Sequence, residues 1–137
     1  MDTPIAALKA PRINTVWPGQ GGIYAGIARG IDGAPDCHVI VALEQPTEEF
    51  TWKDRLKAVK SITVDGHSDF TVATRFQAAL VYANANDRFD PARWYWTSSE
   101  YSERDAWIQD FDDGGQYDDG KSCKARAVAV RLIPIDA

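Results

Sequence analysis

Five aspartates stand between positions 110 and 119, interleaved with Gly114, Gly115, Gln116 and Tyr117. Clustered carboxylates are the hard oxygen ligands that calcium prefers, but this segment does not follow the Asp-x-Asp-x-Asp-Gly spacing of a calcium loop, so no metal is expected. The same residues suit recognition. Tyrosine offers a large contact area at low entropy cost, while Asp and Gln supply directional hydrogen bonds. Upstream, Tyr101-Ser102-Glu103-Arg104-Asp105 repeats the mixture. The expected contact residues are Tyr101, Arg104, Asp110, Asp112, Gln116 and Tyr117, with the two loops joined in one patch.

Catalytic constellations are sparse. Ser98 and Ser99 lack the G-x-S-x-G elbow that exposes a nucleophile. His38 sits inside an apolar run, where a packed or edge-strand role is expected, and His67 beside Gly66 reads as an exposed turn residue. Adjacent Glu48 and Glu49 read as solvated charge ahead of a helix. Cys37 and Cys123 are too few for a crosslinked scaffold and lack zinc spacing, so two free thiols are expected. The chain therefore reads as non-enzymatic and without a cofactor.

The elements that must hold these residues follow from pattern. Pro4, Pro11 and Pro18 leave residues 1–20 as an extended lead-in, or as an arm that packs on another subunit and so admits a homo-oligomer. Residues 21–137 then form a single domain. Runs at 23–28 and 37–43 flank a turn-rich stretch and predict a hairpin. Thr51 and Asp54 stand at capping-box spacing ahead of Trp52, Leu56, Val59 and Ile62, predicting a helix with that face in the core. Thr74 and Gln77 announce a second helix with Phe76, Ala79, Leu80 and Ala83 inward, running out near residues 84–87. From Trp94 onward, aromatic and β-branched residues broken by Asp/Gly clusters predict strands at 94–98, 106–111 and 125–133, the last central in a sheet. Strands, two helices, then strands give an α+β domain with antiparallel sheets.

Composition sets the outer bounds. The 137 residues are 45% hydrophobic, enough for one folded domain. Acidic residues outnumber basic ones 20 to 15, which argues against a nucleic-acid partner. No apolar run approaches the roughly 20 residues of a membrane helix. The start MDTPIAALKAPRINT is too polar for a signal peptide, so a cytoplasmic or virion-associated location is expected.

The run Trp94-Tyr95-Trp96-Thr97-Ser98-Ser99-Glu100, then Ala106-Trp107-Ile108-Gln109-Asp110-Phe111, Gly114, Lys121 and a closing Val130-Arg131, resembles the prokaryotic C-type-lectin-like domain known as domain of unknown function 1566. The resemblance extends over roughly residues 38–135, with Trp52 and Thr74-Arg75 at the family's two helices. Val72-Ala73 stands where the family often has Leu-Pro, and Val128-Ala129-Val130-Arg131 where it often has Arg-x-Val-Arg. The resemblance implies a C-type-lectin-like fold with long late-strand loops, shared with retroelement-diversified variable proteins, phage receptor-binding tips and, remotely, formylglycine-generating enzymes. It places Trp96, Trp107 and Phe111 in the core. The Glu-Pro-Asn and Gln-Pro-Asp tripeptides of calcium-dependent sugar binders are absent.

The expectation is a phage- or mobile-element-encoded module that binds a protein or surface glycan through loops 101–105 and 110–120. Two alternatives stand beside it: a cytosolic phage accessory protein that inhibits a host enzyme, its acidic loops mimicking an anionic ligand, and a structural subunit joined to an assembly by its arm.

Overall fold

The computed structural model describes residues 9–135. Among these residues, ten strands form two five-stranded sheets, which together with the helices make an α+β protein. The first has the order β1-β2-β3-β10-β5, built from Val16–Trp17, Gly22–Ala28, Cys37–Ala42, Ala129–Pro134 and Thr71–Val72. The second has the order β4-β9-β6-β7-β8, from Phe50–Thr51, Lys124–Ala127, Trp94–Glu100, Asp105–Asp110 and Gln116–Gly120. Every pairing is antiparallel except that of β6 with β9.

The expected first hairpin is β2–β3, with an irregularity between Tyr24 and Gly26. Gly26 takes φ 110°, and the Asn84 side chain donates to the neighbouring Ala25 carbonyl at 2.7 Å, fastening this bend to the later helix. Part of the proline-containing segment joins the same sheet: Val16 and Trp17 pair with Ile23 and Gly22, and Trp17 is buried. Residues 1–8 of that segment lie outside the described residues.

The two helix signatures diverge. Thr74 and Gln77 form the full capping box, and helix α1 (Arg75–Ala85) follows. Thr51 makes no side-chain cap, and residues Trp52–Ala58 wind as a 3-10 helix. Asp54 has one methylene fewer than Glu for reaching back, and its carboxylate pairs with Lys57 at 3.5 Å instead. Leu56, expected inside, is 44% exposed, whereas Val59 is buried.

The inward face of α1 also differs from expectation. Ala78, Val81 and Ala85 are buried, while Phe76, Ala79 and Ala83 are exposed and Leu80 is half-buried. The helix is apolar at eight of its eleven positions, so two stripes satisfy helical spacing. The small Ala78 and Ala85 form the one that lets the helix lie close against the sheet.

The predicted strand 125–133 serves both sheets, divided at Val128. Its N–H donates to Trp96 O at 3.2 Å and its carbonyl accepts from Ala73 N–H at 2.9 Å. Before it, β9 lies between β4 and β6; after it, β10 lies between β3 and β5.

The main core packs Ile23, Val39, Val41 and Val130 of the first sheet against α1 together with Tyr95 and Phe111. Phe89 stacks on Phe111 with centroids 3.9 Å apart. On the other face of the second sheet, Trp96 and Ile108 pack with Val59, Phe70 and Val72. Trp96 is fully buried and donates Nε1–H to Phe50 O at 2.8 Å. The expected core positions of Trp96 and Phe111 hold; that of Trp107 does not, because Trp107 is half-buried at the surface beside α1.

Candidate functional site

Strand β7 separates the two loops that were expected to form one patch. It pairs with β6 from Ala106↔Glu100 to Asp110↔Trp94 and with β8 from Asp105↔Gly120 to Gln109↔Gln116. The 101–104 turn enters one end of β7 and the 111–115 turn leaves the other. Six extended residues span roughly 17–20 Å. Tyr101 and Arg104 thus stand at one end, with Asp110, Asp112 and Tyr117 at the other.

At the second end the carboxylates are turned onto their own loop. Asp110 Oδ1 accepts from Asp112 N–H at 2.8 Å, and Asp113 accepts from Gly115 N–H at 2.8 Å and from the Tyr117 hydroxyl at 3.2 Å. The Gly115 hydrogen bond, joined by that of Tyr117, holds the Asp113 carboxyl below its ordinary range, and the Asp113 charge pushes the Tyr117 phenol up. Gly114 takes φ 81°, and a Cβ there would collide with the Tyr82 ring. Tyr117 meets Trp94 edge-on at 6.0 Å. Asp112 and Asp118 are exposed. Among the described residues no three His, Cys, Asp or Glu side chains converge as metal ligands.

A row of aromatic and cationic groups occupies the first end and continues onto α1. Tyr101, 55% exposed, meets Trp107 edge-on at 5.2 Å. The Arg75 guanidinium lies over the Trp107 ring at 3.5 Å and stands 5.6 Å from the Phe76 ring. Gln116 fastens this arginine: its Oε1 accepts from Arg75 Nε at 3.2 Å, and its Nε2 donates to Arg75 O at 2.6 Å and to buried Gln109 Oε1 at 2.8 Å. Ser99 Oγ accepts from Arg75 N–H at 3.0 Å. Gln116, expected at a ligand, therefore positions Arg75. Arg104 extends into solvent, and its carbonyl accepts from Lys121 N–H.

A second cation cluster lies on the other face of this hairpin. Arg55 stacks on Trp52 at 3.7 Å, and Lys121 Nζ stands 4.7 Å from the same ring. Lys121 also bonds Glu100 at 2.8 Å, and the Trp52 Nε1–H donates to Thr97 O at 2.9 Å.

Phe76 links the row to a groove of about 550 Å³ between α1 and the β2–β3 loop, lined also by Ile27, Arg29, Ile31 and Leu80. Ile27, Ile31 and Phe76 are each about half exposed or more, at 53%, 47% and 60%. Cys37 borders a smaller adjoining hollow; burial, aided by Asp36, raises its thiol. Cys123 is exposed and raised chiefly by Asp119. Both thiols are free, as expected. His67 hydrogen-bonds Gly19 O at 2.9 Å, and His38 hydrogen-bonds Tyr24 at 2.8 Å.

Trp107, Arg75, Phe76, Ile27 and Ile31 were missed as surface residues. The family resemblance placed Trp107 in the core and helix periodicity placed Phe76 there, and Arg75 entered only as part of a helix signature. The one available signal was composition, since Trp and Arg are enriched at binding hot spots. No protein-family model matches the chain, and no curated protein is significantly similar to it.

Proposed function

We propose that this protein is a non-enzymatic recognition module of C-type-lectin-like fold, of phage or mobile-element type, which binds a protein or surface glycan. The observation that carries the reading is the row Tyr101–Trp107–Arg75–Phe76, a partly exposed series of edge-on rings and a guanidinium held by Gln116, itself bonded to buried Gln109. Its residue types are those that dominate binding energy, and its Arg is preorganised, so little side-chain entropy is lost on contact. The fold reading is supported by the late-strand hairpins that carry this row beside a single capped helix. The enzyme-inhibitor reading rests on outward acidic loops; Asp110 and Asp113 instead hold their own loop.

Capture experiments on glycan arrays and from host lysate test the assignment with three variants. Tyr101→Ala and Arg75→Ala are expected to lose the partner that the wild type retains, while Tyr117→Ala at the other end of β7 keeps it. Capture that survives both of the first two and fails in the third moves the site to the 110–120 loop and overturns this placement.

A further inference from the structure

The groove beside Phe76 has walls that select a chemistry. Apolar side chains line both banks: Ile27 and Ile31 on the β2–β3 side, Phe76 and Leu80 on α1. An exposed apolar surface of this kind favours an apolar occupant that displaces its water. The groove is open to solvent rather than enclosed, so it fits a segment lying across the surface.

Beyond Phe76, 5.6 Å from its ring, the Arg75 guanidinium supplies a positive charge that the fold does not neutralise. Arg126 and Arg131, which also lie against the sheets, face Asp90 at 3.7 Å and Asp69 at 2.7 Å. Arg75 has no such carboxylate among the described residues. Trp107 covers one face of its guanidinium and Gln116 holds Nε. Its two terminal nitrogens make no hydrogen bond among the described residues, and a guanidinium fixed in this way is suited to paired hydrogen bonds with a carboxylate. Arg29 adds a second cation to the groove, opposed by Asp32.

The backbone beside the groove favours a peptide over a lipid or a lone acid. β1 pairs with Gly22 and Ile23 of β2 and the preceding Asn14 and Thr15 bond Tyr24, so Ile27 and Ala28 lie beyond this cover and pair only with β3 among the described residues. An open strand edge offers N–H and C=O groups to an extended chain.

We propose that the groove between the β2–β3 loop and α1 is the docking site for an acidic–apolar peptide segment, with a large apolar side chain against Ile27, Ile31 and Phe76 and a neighbouring carboxylate on Arg75. This rests on the recognition reading above and names the partner class for the Phe76 end of that surface.

Panning the full chain against displayed random peptides, followed by fluorescence polarisation with labelled peptides that emerge, tests it. The expected sequences place Asp or Glu within a few residues of Leu, Ile, Met or Phe. Replacing that acid by its amide weakens binding roughly tenfold, the size of a lost charge-assisted pair. Arg75→Gln binds the acidic peptide as weakly as the wild type binds the amide form, and no longer separates the two. Phe76→Ser, at a position 60% exposed and so harmless to folding, weakens both forms alike. Lys60→Gln, at an exposed site away from the groove, changes neither. Peptides without the acidic–apolar pairing, or undiminished acid preference in Arg75→Gln, overturn the proposal. If Tyr101→Ala still abolishes capture of a glycan or protein while no such peptide emerges, the recognition reading stands and the peptide site alone falls.

Discussion

Tyr24 and His38 share a 2.8 Å hydrogen bond on the outer face of the first sheet, with Trp17 edge-on to both rings. Burial lowers the His38 pKa from its ordinary value near 6.5, so the unfolded chain takes up a proton at higher pH than the folded one. His38 therefore costs no stability above the unfolded pKa and progressively more as pH falls below it toward the folded pKa. Thermal unfolding followed between pH 7.5 and 5 is expected to show a loss of stability that His38→Phe reduces; an identical pH slope in the variant would exclude this role. The sequence already marks His38 as a packed or edge-strand residue. It does not reveal that Trp107 lies at the surface, because alternation along β7 assigns faces without saying what covers each. Residues Trp107 and Gln109 share a face; Gln109 is fully buried and bonded to Gln116 and Gly115, while Trp107 is half-buried and meets Arg75 and Tyr101.

Two capping signatures of similar appearance give different elements. Thr74 Oγ1 accepts from Gln77 N–H while Gln77 Oε1 accepts from Thr74 N–H; Thr51 makes no equivalent bond. Thr74→Ala is expected to cost about 1 kcal/mol, and Thr51→Ala within about 0.5 kcal/mol, as measured by chemical denaturation. Equal losses would mean that both caps form in solution. Element positions were legible because Gly, Pro and Asn/Asp clusters separate apolar runs of distinct period, as at the β2–β3 hairpin and at the end of α1. Helix type and inward face were less so. Eight apolar positions in α1 leave its rotation to be settled by packing against Ile23, Val39 and Tyr95, which are distant in sequence. The division of the last strand at Val128 is likewise tertiary, since each half is uniformly strand-like and only the partners differ.

Across the whole molecule, the two sheets do not own separate cores. Tyr95 and Phe111 of the later segment pack with Val39 and Val130, while Ala42, Val72 and Ala129 pack with Trp96 and Ile108. Shared burial of this kind couples the sheets into one cooperative unit. Hydrogen exchange is expected to place the amides of β3 and β10 in the same slow class as those of β6 and β9. Earlier exchange throughout one of these pairs would show instead that a sheet opens alone. The separation of the two loops belongs to this scale too. The repeated residue mixture suggested a single patch, but a strand between two hairpin turns carries the loops to opposite ends, whereas Arg75 and Trp107, more than thirty residues apart, meet at 3.5 Å.

The placement of β10 bears on how the chain is made. It fills the gap between β3 and β5, yet it leaves the ribosome after every other strand of its sheet. Until residues 129–134 emerge, the nascent β2–β3 hairpin carries an open edge at Val39 and Val41, two of its most apolar positions. That edge can pair with another nascent chain as readily as with its own final strand. A chain stopped before Ala129 is consequently expected to aggregate more readily than one that includes β10.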